Sequence, residues 1–461
     1  MKNKVKFAII GAGSMTFSPV TLTDILLNKN FASIETLEVY LMDIREDAVQ
    51  ASRNYCQRLA EKLGVRVLIR ASTNLLEAVE GADFVITAIE VDRYHYWSQD
   101  FHIPRRYGFR QIYGENGGPG GMFHTLRNLP PMLEIARAME KGCPGALMLN
   151  YTNPEAKLVE GVCRLTKINA VGLCHGIGGG MHTLGAFLEM PVERIGAACV
   201  GINHFGWFTR IWDKETGEDL YPKLREKEKQ AHWLAGWDDL ALTRILLRTY
   251  GLWSYPGASH SGEYLAWGDG FLPSVPYQFF FDPASERPWE PASKRNLDLI
   301  GSLSYGQTSR DIFSPPWSGE EEFLKNFDID TREWKVSEEF AIPIAEAVFF
   351  DKPTEIGAVN VPNKGYAKDL PEDMVLELPA IADGRGLHPV KCDPLPAAVA
   401  SMISVQGTIH KLVIEAYVEQ SRNKLLQAVL LDPTVSSYHN AVAMIDEMCE
   451  RQKEILPPMF W

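Results

Sequence analysis

Cysteine is sparse in this chain: seven residues, at positions 56, 143, 163, 174, 199, 392 and 449. An odd, scattered set with no Cys-x-x-Cys pair excludes a disulfide-stapled secreted framework. Positive charge is also short, with 46 Lys and Arg against 59 Asp and Glu and a formal charge of -13. Affinity for a phosphate backbone comes from neutralising it with Lys and Arg, so a nucleic-acid partner is not expected. The sequence shows no 18-residue apolar span, so no membrane partner is expected either. The apolar stretch from Val5 to Ile10 is too short for a signal peptide and lacks a small-residue cleavage site. A reducing cytoplasm is the expected compartment, and it suits a cysteine that stays reduced to bind metal. Internal repeats and low-complexity tracts are absent. What is present is an ordinary globular composition, 46% hydrophobic and 23% charged over 461 residues, enough for about two to three structural units.

Residues 1 to about 195 alternate between strand-like and helix-like stretches, the pattern of a parallel sheet with helices on its faces. Strands are expected at Val5–Ile10, Leu37–Met42, Val67–Arg70, Phe84–Ala88, Ala146–Leu149 and Ala170–Leu173, with helices at about Ser18–Leu27, Glu46–Lys62 and Thr125–Lys141. From about 200 onward aromatic, Pro- and Gly-rich segments such as Leu252–Pro283 interrupt helices, and residues 396–431 and 438–455 read as long helices. The expected fold class is α/β: a Rossmann-like doubly wound sheet over 1–195 and an α+β domain over 196–461, lactate/malate-dehydrogenase-like overall. The second domain is expected to carry substrate, metal and oligomer contacts.

Gly11-Ala-Gly13-Ser14 follows the first strand and precedes a helix, the context of a dinucleotide turn. Gly11 permits the tight turn, and Gly13 lets the backbone approach a pyrophosphate at a helix N-terminus. The usual third glycine is Thr16 here. Asp43 ends the second strand, where a carboxylate accepts from ribose hydroxyls and repels a 2′-phosphate, which favours NAD⁺. The expected cofactor-facing set is Gly11, Gly13, Ser14, Met15, Asp43, Glu90 and Asn150.

Cys174 and His204 each follow an apolar strand-like run. A thiolate with an imidazole suits a divalent transition metal, and two protein ligands leave positions open for substrate oxygens. Each residue alone is also an ordinary core residue. Asn153, before Pro154, sits at a strand end, and Gly114-Glu115-Asn116-Gly-Gly-Pro119-Gly120-Gly121 is a backbone-permissive loop that either clasps a ligand or simply connects.

Taken in order, Gly11-x-Gly13-Ser14, Asp43-Ile44, Ile103-Pro-x-x-Tyr107-Gly108, Gly118-Pro-Gly120-Gly121, Asn150-x-Thr-Asn153-Pro154, Cys174-His175, Asn203-His204-x-x-Trp207, Asn360-Val-Pro-Asn363-x-Gly365 and Leu370-Pro resemble glycoside hydrolase family 4, the NAD- and manganese-dependent glycosidases. The similarity runs along almost the whole chain. It implies hydrolysis through transient oxidation at sugar C3, loss of the C2 proton, departure of the glycosidic oxygen, addition of water and return of the hydride. It implies Cys174 and His204 as Mn²⁺ ligands, Asn153 and Asn203 as substrate contacts, and His175 as an acid or substrate contact. It also implies a small-molecule glycoside as substrate and a homodimer or homotetramer.

Two positions depart from the family pattern. Where non-phosphorylated members often carry Gly-Asp-Arg-His, this chain reads Gly257-Ala258-Ser259-His260, so the aspartate base is replaced. His260, Glu263 and Tyr264 are the local candidates for that role, and His260 needs the least tuning. Ile89-Glu90-Val91 stands where many relatives have small residues. The Cys-His-Gly form resembles the branch acting on free α-hexosides and α-hexuronides, and for a hexuronide Arg93, Arg105, Arg106 and Arg110 are candidate cations near C6. A simple NAD-dependent dehydrogenase of a sugar or hydroxy acid, and a non-catalytic NAD- or sugar-binding protein, are the other readings.

Overall fold

The computed structural model describes residues 3–14, 17–231, 237–271, 329 and 334–461. The first six strands are β1 (Lys4–Ile10), β2 (Thr36–Met42), β3 (Leu68–Ser72), β4 (Phe84–Thr87), β5 (Leu147–Asn150) and β6 (Asn169–Gly172). They pair in parallel in the order β3-β2-β1-β4-β5-β6. This is the doubly wound dinucleotide-binding order, whose direction reverses between β1 and β4. Near-continuous burial of β1 and β2 fits a sheet covered on both faces. Phe7 of β1 meets Phe31 edge-on at 5.0 Å and stacks on Phe84 of β4 at 5.4 Å, tying the sheet to its helices.

The sheet does not end at β6. Later strands are β7 (Ile195–Ile202), β8 (Phe205–Asp213), β9 (Trp253–Tyr255), β10 (Thr354–Pro362), β11 (Val375–Asp383) and β12 (Gly386–Pro389). Antiparallel β10 continues from β6, followed by β11, β7, β8 and β9, with β12 on β11. A Rossmann-type sheet and a C-terminal α+β region thus share one twelve-stranded sheet among the described residues.

Three sequence expectations change. The glycine-rich run is not a loose loop, because the following helix spans Gly118–Gly142 and starts inside it. Close packing is the reason: a Cβ on Gly121 would lie 2.4 Å from the Asn116 carbonyl oxygen. The long C-terminal helix is two helices, Ala397–Glu419 and Arg422–Leu431. Gln420 adopts φ 52 between them, and the Ser421 side chain caps the second at Lys424 N. Third, Ala397–Glu419 is long and apolar enough by composition to cross a membrane, contrary to the expectation that no such span exists. Half of its apolar window is buried in the fold, including the polar residues Gln406 and His410, as in a core helix of a globular protein. The segment after Phe271, up to Pro283, lies outside the described residues.

Candidate active site

The carboxyl ends of β1, β4, β5 and β6 converge with the β7–β8 turn, and most of the candidate residues lie there. Gly11 takes φ +86, and a Cβ on it would stand 2.2 Å from the Ala88 carbonyl oxygen, so the turn needs glycine. Gly11 N and Ala12 N both donate to the Met42 carbonyl at 2.9 Å. Gly13 N donates to Asp43 Oδ2 at 2.8 Å, and Arg45 N to Oδ1 at 3.0 Å. Burial pushes the Asp43 carboxyl upward, and these N–H groups pull it back. Ser14 Oγ accepts from Phe17 N at 3.2 Å, opening the helix Phe17–Leu27. Met15 lies outside the described residues.

Asn150 is turned inward. Its Oδ1 accepts from Thr87 Oγ1 at 2.8 Å and Thr152 N at 3.0 Å, and its Nδ2 donates to the Thr152 carbonyl at 3.0 Å. Its side chain therefore braces β4, β5 and the following turn. Glu90 is the centre of a charged network: His124 Nε2 lies 3.0 Å from it, Arg93 Nη1 3.3 Å and Asn128 Nδ2 3.0 Å. Burial raises its pKa, but His124 and Arg93 outweigh that and hold it at about 2. Arg93 bridges on to Glu115 Oε1 at 2.6 Å, which Asn153 Nδ2 approaches at 3.4 Å.

Glu115, His204 and His260 are the point of convergence. One ligand-type atom of each lies within 4.8 Å of the others, and the two imidazoles meet edge-to-face at 4.3 Å. Asn203 and His204 form the two-residue turn between β7 and β8, with His204 at φ 70. An amide atom of Asn116 lies 2.9 Å from His204 Nδ1. Burial drives the pKa of His204 well down, with His260 pushing the same way, so the imidazole is neutral and able to ligate. Burial also lowers His260, against the opposing pull of Glu115. His260 Nδ1 lies 2.8 Å from Ser259 Oγ.

Glu263 and Tyr264 have structural tasks. Glu263 accepts from the backbone N–H groups of Glu115, Asn116 and Gly117 at 2.9, 3.1 and 3.1 Å, and so holds the loop that carries Glu115. Burial pushes it up to about 8, with the Glu115 charge adding and the three donors opposing. Tyr264 donates its hydroxyl to the Asn203 carbonyl at 3.1 Å and stacks on Phe205 at 5.2 Å, bracing the turn.

Cys174 is not one of the converging trio. Its thiol lies beside the Asn203 amide, next in sequence to His204, and accepts from Gly176 N at 3.3 Å. Burial pushes the thiol up to about 12, with Glu377 adding and Asn203 opposing. A bound divalent ion would displace that proton. The exposed His175 pairs with Glu339 at 3.4 Å, and this partner raises its pKa. Of the four arginines only Arg93 reaches the site. Arg105 donates to the Gln111 carbonyl, Arg106 pairs with Glu447 and Arg110 with Asp269.

Sequence reasoning assigned no role to Glu115, Asn116 or Lys157. Glu115 is the one acidic residue in its glycine-rich run, and that was the available signal. Lys157 donates to the Asn116 carbonyl, and burial lowers it to about 8. Nothing in an amphipathic helix marks such a lysine in advance.

Residues 6–190 match the model for family 4 glycosyl hydrolase, and residues 199–435 match that for the family 4 glycosyl hydrolase C-terminal domain. The chain is similar to an alpha-glucosidase of Erwinia rhapontici, 31% identical over 458 residues, covering 97% of this chain and 98% of that one. It is also similar to an alpha-galactosidase of Bacillus subtilis, 30% identical over 464 residues, covering 98% and 99%. Among solved structures it superposes on a 6-phospho-alpha-glucosidase from gut microorganisms in complex with NAD and Mn²⁺, with TM-score 0.78, 22% identity and coverage of 99% and 100%. With matches spanning most of its length, the chain belongs to family 4 of the glycosyl hydrolases.

Proposed function

We propose that this glycoside hydrolase acts on non-phosphorylated α-hexosides or α-hexuronides, by transient C3 oxidation and elimination across C1 and C2, with NAD⁺ and Mn²⁺ or another divalent transition metal. The observation that carries the reading is the convergence of Glu115, His204 and His260 beside the Cys174 loop. The turn at Gly11 fits a dinucleotide because a side chain there would collide with Ala88, and Ile44, 87% exposed beside Asp43, offers an apolar wall for a purine. Thiol plus imidazole fits a borderline transition metal. The chemistry these groups supply when bound is hydride acceptance from C3 and Lewis-acid polarisation of the sugar ketone.

The protein's own groups handle position and protons. Cys174 and His204 would hold the metal; Asn116 Nδ2 lies 2.9 Å from His204 Nδ1, and turning that amide over would let Nδ1–H donate to its oxygen and free Nε2 to ligate. His260, kept neutral by burial, donates Nδ1–H to Ser259 Oγ and so presents a free Nε2 to take the C2 proton. His175, whose pKa is raised by Glu339, is the candidate to give a proton to the leaving glycosidic oxygen. Two histidines pushed in opposite directions make a base and an acid in one site. Glu263 and Tyr264 fix the frame and Asn153 meets a sugar hydroxyl, while the buried Asn203 amide faces the Cys174 thiol. Arg93 is shared between Glu90 and Glu115, and this pairing supports neutral hexosides over hexuronides. In this reading residues 1–195 form the NAD-binding unit and also supply Arg93, Glu115, Asn153, Cys174 and His175, while 196–461 supply Asn203, His204, His260, Glu263 and Tyr264. The proposed compartment is the cytoplasm and the proposed assembly, on family resemblance alone, a homodimer or homotetramer, which sedimentation measures.

The test is a panel of aryl α-glucoside, α-galactoside, α-glucuronide and α-galacturonide, assayed with and without NAD⁺, Mn²⁺ and thiol reductant. Aglycone release that needs both cofactors, with no net NADH and with primary deuterium effects at C2 and C3, is expected. Steady NADH accumulation would establish a dehydrogenase instead. NAD⁺ binding without any aglycone release would establish a binding protein.

A further inference from the structure

One transverse row of the sheet holds no ordinary core residue. Gly172 of β6 pairs with Asn360 of β10, Asn360 with Glu377 of β11, and Glu377 with Gly201 of β7. Gly201 pairs with Gly206 of β8, and Gly206 with Tyr255 of β9. Two of the glycines are notches for their neighbours. A Cβ on Gly172 would lie 1.0 Å from Glu155 Oε1, and one on Gly206 would lie 2.2 Å from Tyr255 Cζ. Tyr255, laid over Gly206, donates its hydroxyl to Glu377 Oε2 at 2.9 Å.

Glu155, Glu377, Asn203, Asn360 and Tyr255 are each 2% exposed or less. Among the described residues neither Glu155 nor Glu377 has an ion pair with a basic side chain. Neither polar atom of Asn203, of Asn360 or of the Glu155 carboxyl meets full hydrogen-bond geometry. Burying such groups without partners is costly, so their concentration in and beside one row points to a functional demand. The row ends at the thiol: Cys174 follows Gly172 by two residues, and the Asn203 amide faces both Cys174 Sγ and the Glu377 carboxyl. Neither contact reaches full hydrogen-bond geometry, and the amide carries two N–H donors with which to meet both neighbours.

We propose that Glu377, steadied by the Tyr255 hydroxyl, is a positioning residue that fixes the Asn203 amide and through it aims the Cys174 thiolate at the metal. This rests on the reading of Cys174 as a ligand. Outer hydrogen-bond partners of ligands commonly change metal affinity by about 10–100-fold. The experiment loads the full-length protein with Co²⁺ and follows the near-ultraviolet thiolate-to-cobalt absorption, alongside Mn²⁺ affinity by chelator competition and melting of the metal-free form. Glu377→Leu is expected to lower Mn²⁺ affinity about 10–100-fold and to weaken the absorption. Glu377→Gln retains an acceptor for Asn203 and is expected to stay close to the parent, with Tyr255→Phe between the two. Parent-like affinity and absorption in Glu377→Leu would overturn the proposal, as would equal losses in the Leu and Gln variants. If Glu377→Leu does not fold, Tyr255→Phe decides, and an unchanged metal affinity there overturns it. A parent protein with no thiolate absorption at all would instead remove Cys174 as a ligand.

Discussion

At the residue scale the site turns on two histidines with opposite tuning. His260 is half-buried beside His204 and Glu115, and desolvation lowers its pKa against the pull of Glu115, whereas the exposed His175 is paired with a carboxylate. A positioned general base contributes about 10²–10⁴-fold in rate. His260→Ala is therefore expected to lower kcat by at least about 100-fold. Ser259→Ala removes one neutral hydrogen bond to the same ring and is expected to cost under about tenfold. Steady-state kinetics on the best aryl glycoside measures both, and equal losses would take the base role away from His260. Cys174, His204 and His260 stood out as candidates because their residue types carry the chemistry. Glu263 and Tyr264 carry the same potential chemistry, yet their polar atoms are engaged by backbone groups of other segments, Glu263 across 146 to 148 positions of sequence. No local pattern encodes a partner that distant.

At the element scale, the strands and the first turn were readable from apolar runs and glycine placement. The helix beginning at Gly118 was not, because a run of Gly and Pro has no helical periodicity. It forms there because the Asn116 backbone and the Asp100 carbonyl press against its first turn, leaving room for glycine only. The notch at Gly172 is of the same kind, since the space above β6 belongs to Glu155 from the neighbouring helix Glu155–Leu165. Gly172→Ala should destabilise the fold by about 1–3 kcal/mol through overpacking. Combining it with Glu155→Ala, which empties the space, should recover part of that loss. Urea unfolding of the single and double variants tests this, and additive losses would show that the two positions do not compete for one volume.

At the scale of the whole molecule, one sheet joins the N-terminal parallel strands to the C-terminal antiparallel ones, and the helix Ala397–Glu419 packs behind it. That helix brings His410 into the interior, 3.7 Å from Glu160 and 1% exposed. Burial lowers His410 to about 4, Lys157 pushes the same way, and Glu160 opposes. The unfolded chain therefore binds a proton that the folded chain refuses between the ordinary value of about 6.5 and this lowered one. The stabilising contribution is complete above pH about 6.5 and is lost as pH falls toward 4, by up to about 3 kcal/mol. His410→Gln should show a shallower fall in melting temperature than the parent over that range. Identical pH dependence in the two proteins would rule this out.

The sequence by itself pointed to features that travel with residue type and short spacing: the strand–glycine–helix turn at Gly11, a cysteine at 174 and a histidine at 204 that each follow an apolar run, and the alternation of strands and helices. These depend on a few neighbouring residues, so the chain order preserves them. Only the tertiary structure decided which carboxylate joins the histidines, which polar residues brace backbone, and that a row of Gly, Asn, Glu and Tyr runs beneath the thiol. Those outcomes come from strands and helices far apart in the chain meeting in a close-packed interior, where a single Cβ or an unpartnered polar atom decides what fits.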